Sequence, residues 1–440
     1  MPLLHTPMER YDQLYRLYEE FDTETLRAYQ ELVDLFPPVN SRVALEQWQR
    51  AKTELEGRRE TVRSGFPQVG ETFATLASHA TRDQAFGALD LYTKYGRGIN
   101  VFVLDVDETL RSAGNTDNEI TRETLHLLTR FHEDGTPIVI CTGQTLENVK
   151  GFLIQGLGNE IVHSGDVSIV YETGTGVFTP GHGPDTKQLL YERLDDDTQE
   201  VFRLVRSRVL SEAPEKVRQG AHLQGNEFNI TLKPNFETGS DRAREVIDLG
   251  IVYLMDLVES SVAEVLGTDS GGDSSGDSGR DSSGDSGGDS GGDWARAYYS
   301  ASDPEIRRVL EQLDEQPTTG AEEVPEEFAE TFDLIDPAYY EADAAEVGSL
   351  ELNKVVGVEA AFNVLDIEDP FALVMGDSKT DLRVMKWVDD NDSGIAAAPN
   401  HASGDVLDHV LDTDELVYDR GDVAEMLRTA FALNRLAGLD

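Results

Sequence analysis

The sequence predicts an α/β protein: a doubly wound parallel sheet that carries an inserted α+β domain and is preceded by a helical region. Three observations carry the prediction. Two short continuous apolar runs, Val101–Leu104 and Ile138–Cys141, are each followed by helical periodicity, the mark of strands buried on both faces in consecutive βα units. The same pattern returns after Lys354. Between them lies a long interval of irregular alternation, so the sheet is begun early in the chain and finished late.

Residues 1–96 read as helices, because apolar positions recur at three and four: Tyr11, Leu14, Tyr15, Tyr18 and Phe21, then Leu26, Tyr29, Leu32 and Val33. Pro37 and Pro38 stop that run, Leu45, Trp48 and Leu55 resume it, and Phe73, Leu76 and Leu91 mark a weaker third stretch. No cluster here suggests chemistry. The expectation is a helical layer packed on the main domain or on a partner subunit, in which case these helices would form the contact of a homo-oligomer. Over 97–164 the core opens. Thr121 caps a helix with Leu125, Leu128 and Phe131 on one face and Gly135 at its end, and another helix over 145–153 follows the second strand.

Residues 165–352 read as the inserted domain, with strands expected at 168–171, 228–232 and 331–335. Inside it, 269–293 is of low complexity, with Asp at every fourth position among Ser, Gly and one Arg. A calcium-binding roll would need an inward apolar residue in each repeat, so a flexible acidic loop is expected. Over 353–440 the sheet resumes. Val355, Val358, Phe362 and Leu365 mark a helix, 371–375 a buried strand, 382–387 a helix, 395–398 and 416–418 short strands, and 423–436 a final helix.

Composition narrows the class of partner. Against 37 Lys and Arg stand 84 Asp and Glu, a formal charge of −47, which repels nucleic acid and anionic membrane surfaces. With 39% hydrophobic residues the chain holds too much core material for an acidic disordered protein. Acidity spread over a folded surface is what proteins of halophilic organisms carry. The single cysteine, Cys141, excludes a disulfide framework and points to a reducing compartment, and its place in a buried strand gives no sign of reactivity. No signal-like or membrane-length apolar stretch stands out, so a cytoplasmic protein is expected.

Two acidic pairs stand out from this background because each follows a buried strand. Leu104-Asp105-Val106-Asp107-Glu108-Thr109 puts two carboxylates at the end of the first, and Met375-Gly376-Asp377-Ser378-Lys379-Thr380-Asp381 puts two more beyond another. Carboxylates so close relieve their repulsion by sharing a proton or a divalent cation. Converging at strand ends, they would form a hard oxygen site for Mg²⁺ with room for water and a phosphate. Thr142 and Gly143, ending the second strand, offer a hydroxyl and backbone N–H groups to a phosphoryl oxygen, and Lys354, outside any basic run, offers a neutralising cation.

These residues, in this order, resemble the four motifs of the haloacid dehalogenase (HAD) superfamily of phosphohydrolases. The interval from Thr142 to Lys354 is far too long for a loop, and resembles the type-two cap of the Cof-like and sucrose-phosphate-phosphatase-like branch. Ser164-Gly165-Asp166 looks like the start of such a cap. Gly394 to Asn400 and the Asp419-Arg420-Gly421 turn are similar to that branch's C-terminal pattern. The likeness covers about 97–440. It implies a HAD-like Rossmannoid core and a phosphatase acting on a small phosphorylated metabolite, a sugar phosphate or related polyol phosphate. It also implies that Asp105 attacks phosphorus to form an aspartyl-phosphate, while Asp107 protonates the leaving oxygen and later activates water. Thr142, Gly143 and Lys354 would hold the phosphoryl group. Asp105, Asp377 and the backbone carbonyl of Asp107 would ligate Mg²⁺, with Asp381 a ligand or an orienting residue. The cap would exclude water and read the leaving group.

Glu108 stands where many members have Gly, Gln144 where this branch often has Arg, and Thr380 where many have Asn. A phosphomutase-like phosphotransferase would use the same Asp105 and Asp107, and a non-catalytic HAD-like binding protein would keep the motifs without turnover. A receiver-like signalling module also gathers acids, a Thr and a Lys around an Asp, but without this motif spacing or a large insertion. In the insertion, Glu227, Asn229 and Lys233 could meet substrate, although a solvated strand face accounts for them as well.

Overall fold

The computed structural model describes residues 7–36, 41–111, 119–235, 239–268 and 293–439. The Asp-rich repeat, apart from Asp293, and the Pro37-Pro38 stop lie outside the described residues. The strands in chain order are β1 (Val101–Leu104), β2 (Ile138–Cys141), β3 (Val167–Tyr171), β4 (Gly176–Phe178) and β5 (Gln188–Leu189). There follow β6 (Ala221–Gly225), β7 (Asn229–Pro234), β8 (Ile335–Tyr340) and β9 (Ala344–Ser349). The last are β10 (Ala372–Met375), β11 (Gly394–Pro399) and β12 (Leu416–Tyr418). Among the described residues no helix is long and apolar enough to cross a membrane.

The chain divides into two units, one comprising Met1–Gln188 and Lys354–Asp440, the other Leu189–Asn353. The expected boundary at 164/165 therefore needs correction. The residues of β3 are buried on both faces and pair in parallel with β2, Ile140 opposite Ile169, so the run 167–171 belongs to the main sheet.

The first unit is built on a sheet of order β12-β11-β10-β1-β2-β3-β4-β5. It is parallel from β12 to β3, and β4 runs antiparallel to β3. From β1 the chain proceeds outward through β2 and β3, whereas β10 returns to the other side of β1 and continues through β11 and β12. Strand order thus reverses at β1, and Leu104 lies opposite both Met375 and Ile140. A crevice beyond the carboxyl ends of the strands is expected at such a switch point.

The N-terminal helices, Pro7–Glu20, Thr23–Leu35, Arg42–Gly65, Gly70–His79 and Arg82–Tyr95, share this unit's core. Leu14, Leu26, Phe73, Leu76 and Leu89 join one cluster with Phe102 of β1 and Phe431 of the last helix, Val423–Ala437. Local chemistry sets their ends. Asp22 accepts from the Thr25 N–H, Thr81 and Gln84 form a reciprocal capping box, and Gly96 at φ 66° closes the fifth helix. The side chain of Asn434 then binds both backbone groups of Ile99, at 2.7 and 2.8 Å, tying the final helix to the lead-in of β1.

The second unit has an antiparallel sheet, β6-β7-β9-β8, against which the long helix Ser240–Val265 packs. The strand expected at 331–335 is displaced. Phe328 and Phe332, four apart, bury together as one face of the helix Glu326–Phe332, and alternation begins only at Ile335, with Ile335, Pro337 and Tyr339 inward.

Candidate active site

Asp105 is the first residue past β1, still in the ladder through its N–H to the Met375 carbonyl at 2.9 Å. Asp377 stands two residues past β10, and Asp381 lies in the first turn of the helix Lys379–Asp390. Gly376 makes this turn feasible: a Cβ there would come within 2.3 Å of Asp381 Cβ and Cγ. Lys354 opens the helix Lys354–Val364. One carboxylate oxygen each from Asp105, Asp377 and Asp381 falls within 4.8 Å of the others. Lys354 Nζ donates to Asp105 Oδ1 at 2.8 Å and to Asp381 Oδ1 at 2.5 Å. These groups are withdrawn from water, with exposures of 6% for Asp105 and 3% for Lys354 and Asp381.

Burial sets the electrostatics. It pushes the Asp105 carboxyl well above its usual range against the pull of the Lys354 ammonium, and lifts Asp377 to about 7 with the help of the neighbouring Asp381 charge. Burial alone would discharge Lys354, but the facing Asp105 and Asp381 carboxylates outweigh it and hold the ammonium protonated. Three carboxylates thus share one cation. Asp381 is the most heavily hydrogen-bonded of them, its Oδ2 accepting from the N–H groups of Asp377 and Ser378 and from Ser378 Oγ at 3.3, 3.1 and 2.6 Å.

Thr142 follows β2 and is fully buried. Its N–H donates to Val170 O at 3.0 Å and its Oγ1 accepts from the Gln144 N–H at 3.2 Å. The turn is seated on the end of β3, where Glu172 and Thr173, both left-handed at φ 50° and 58°, donate to the carbonyls of Gln144 and Thr142. A Cβ on Gly143 would meet only Thr173 Oγ1, at an ordinary 3.6 Å, so no close approach within the chain demands glycine there.

The Asp107 side chain departs from expectation. It is not among the carboxylates that converge and is 50% exposed, because other groups hold it. Arg111 donates to its Oδ1 from Nε and Nη2 at 3.0 and 2.8 Å, and Gln144 Nε2 donates to its Oδ2 at 2.6 Å. Sequence reading missed Arg111. Its spacing of four from Asp107 was visible, but the contact is made by a turn whose Glu108 adopts φ 55°, a conformation more natural to glycine. Glu108 is also paired with Arg420 at 2.6 Å, with His401 Nε2 3.2 Å away, which gives the Asp419-Arg420-Gly421 turn a contact with the loop that carries Asp105 and Asp107.

No family model matches the sequence, and no curated protein does. Among solved structures the chain is similar to a trehalose-6-phosphate phosphatase from Aspergillus fumigatus, at 15% identity and a TM-score of 0.40, over 81% of this chain and 98% of that one. It is similar to a haloacid dehalogenase-like hydrolase from Bacteroides thetaiotaomicron, at 12% identity and 0.38, over 75% and 98%. It is also similar to a sugar phosphatase of HAD subclass IIB, at 14% identity and 0.39, over 75% and 96%. Scores this low leave the functional reading to the residues of the site.

Proposed function

We propose that the chain is a Mg²⁺-dependent phosphoric monoester hydrolase acting on a small phosphorylated metabolite of the sugar-phosphate class. The observation that carries the reading is the buried, lysine-bridged carboxylate cluster beyond the carboxyl ends of β1 and β10, where strand order reverses. Asp105 is the nucleophile. Lys354 holds one of its oxygens in place, and an Asp105 oxygen–phosphorus bond forms as the ester bond to the leaving oxygen breaks. Asp107 gives that oxygen a proton, then takes one from the water that hydrolyses the aspartyl-phosphate. Thr142 donates a hydrogen bond to the transferring group, and the Lys354 ammonium balances its charge.

The donor set fits a divalent hard cation. When all three acids ionise, as a bound cation would favour, one ammonium leaves the cluster short of two positive charges, and all three offer oxygen. Asp105 and Asp377 would hold Mg²⁺, with the hydrogen-bonded Asp381 orienting them, and the ion would supply charge neutralisation at a phosphoryl oxygen.

The test is hydrolysis of p-nitrophenyl phosphate and a panel of phosphorylated metabolites in Mg²⁺ and high KCl. Asp105→Asn is expected to lower turnover by about 10³-fold or more, since it removes the nucleophile. Near-normal turnover in that variant would overturn the mechanism.

A further inference from the structure

We infer that Arg111 and Gln144 are positioning residues that fix the Asp107 carboxyl for proton transfer to the leaving oxygen, an inference that rests on the phosphatase reading above. An Asp on a loop, half-exposed, would ordinarily rotate among rotamers and spend little time aimed at substrate. Asp107 is instead held at both oxygens. Two donors from Arg111 converge on Oδ1 and one from Gln144 reaches Oδ2.

Both holders are themselves anchored. The Arg111 guanidinium lies 4.7 Å from the centroid of the Phe152 ring and its side chain is only 15% exposed. Its backbone N–H closes the turn on Val106 O at 3.0 Å. Gln144 is fixed through its own N–H to Thr142 Oγ1 and through its carbonyl to the Glu172 N–H. The side chain of Gln144 therefore links the loop after β1, which carries the nucleophile, to the turn after β2, which carries Thr142.

Acceptor counting says which oxygen is active. A carboxylate oxygen has about two lone-pair sites. Arg111 occupies both on Oδ1, whereas Gln144 takes one on Oδ2, so Oδ2 is the oxygen with a site left to exchange a proton. In the step concerned, the Asp105 oxygen–phosphorus bond forms, the bond from phosphorus to the leaving oxygen breaks, and the Oδ2 proton passes to that oxygen. The carboxylate left behind keeps the same three donors, so Asp107 stays aimed at the site for the water step.

Leaving-group dependence tests this. p-Nitrophenolate departs readily without a proton, whereas an alkoxide needs one, and kcat/KM reads the step in which the leaving group departs. Arg111→Ala and, separately, Gln144→Ala are expected to lower kcat/KM for a primary alkyl phosphate by about 10²-fold while changing it for p-nitrophenyl phosphate by less than about 5-fold. Arg111→Lys should recover part of the loss. Should Arg111→Ala fail to fold, Gln144→Ala carries the test alone. Equal losses on both esters, or none on the alkyl ester, would overturn the positioning role and leave the phosphatase reading standing. If the unaltered protein hydrolysed neither ester, the phosphatase reading itself would fall, and the positioning role with it.

Discussion

His79 ends the helix Gly70–His79 with its ring buried and both nitrogens engaged. Arg130 donates to Nε2, and arginine can only donate, so Nε2 carries the lone pair and Nδ1 the hydrogen, shared with Thr75 O and Ser78 Oγ at 2.8 Å each. Burial first, and the Arg130 charge second, drive its pKa down from 6.5 to about 3 against the pull of Asp34. A base so depressed binds its proton more tightly when unfolded. The stability that neutral His79 contributes is thus complete above about pH 6.5 and is lost as pH falls towards 3, at up to about 1.4 kcal/mol per pH unit. Urea unfolding at pH 7, 6, 5 and 4 is expected to show a shallower acid limb in His79→Gln, and an unchanged slope would refute this. At this scale the sequence was selectively legible. Asp105, Asp377 and Asp381 could be singled out because each follows a buried apolar run, and Lys354 because it stands apart from other basic residues. Arg111 could not, since its partner is chosen by the left-handed backbone at Glu108, which nothing local to arginine signals.

The turn between β10 and the helix Lys379–Asp390 is the element on which most of the cluster depends. Gly376 lets Asp381 fold back to accept from Asp377 and Ser378, and the Ser403 N–H pins the Asp377 carbonyl at 2.8 Å from the loop after β11. Gly376→Ala is expected to push Asp381 outward, costing about 1–3 kcal/mol of stability and the greater part of turnover. Thermal unfolding and p-nitrophenyl phosphate hydrolysis measure the two, and retention of both would show that the turn has slack. Most helices and strands of the first unit follow directly from apolar period and caps. The allegiance of β3 does not, because burial on both faces marks a strand without naming its sheet. Nor does the helix Glu326–Phe332, where the packing of Phe328 with Phe332 draws Thr331 and Phe332 into the helix and delays the strand to Ile335.

Over the whole chain, a formal charge of −47 sets carboxylate against carboxylate across a folded surface. Many of the ion pairs are exposed, such as Arg16 with Glu20 and Lys216 with Glu245, and pairs of this kind contribute little. Screening the remaining repulsion should therefore stabilise the fold. Raising KCl from 0.1 M to 2 M, which cuts the Debye length from about 10 Å to below about 3 Å, is expected to raise Tm by on the order of 5 °C or more. A Tm that falls, or stays level, would show that repulsion is not the dominant charge effect.

The Lys354–Asp105 contact spans 249 positions of chain, and this has a consequence for biosynthesis. A ribosome that has released β1, β2 and β3 has produced only one side of the sheet. The β10 side of β1 then stays unpaired until the segment holding Lys354, β10, Asp377 and Asp381 emerges. Asp105 thus waits without its ammonium partner while some 249 further positions are made, and the carboxylate cluster cannot assemble before Lys354, Asp377 and Asp381 emerge. Long-range parallel pairing of this kind is slow to form, so β1 presents an unpaired edge throughout that interval.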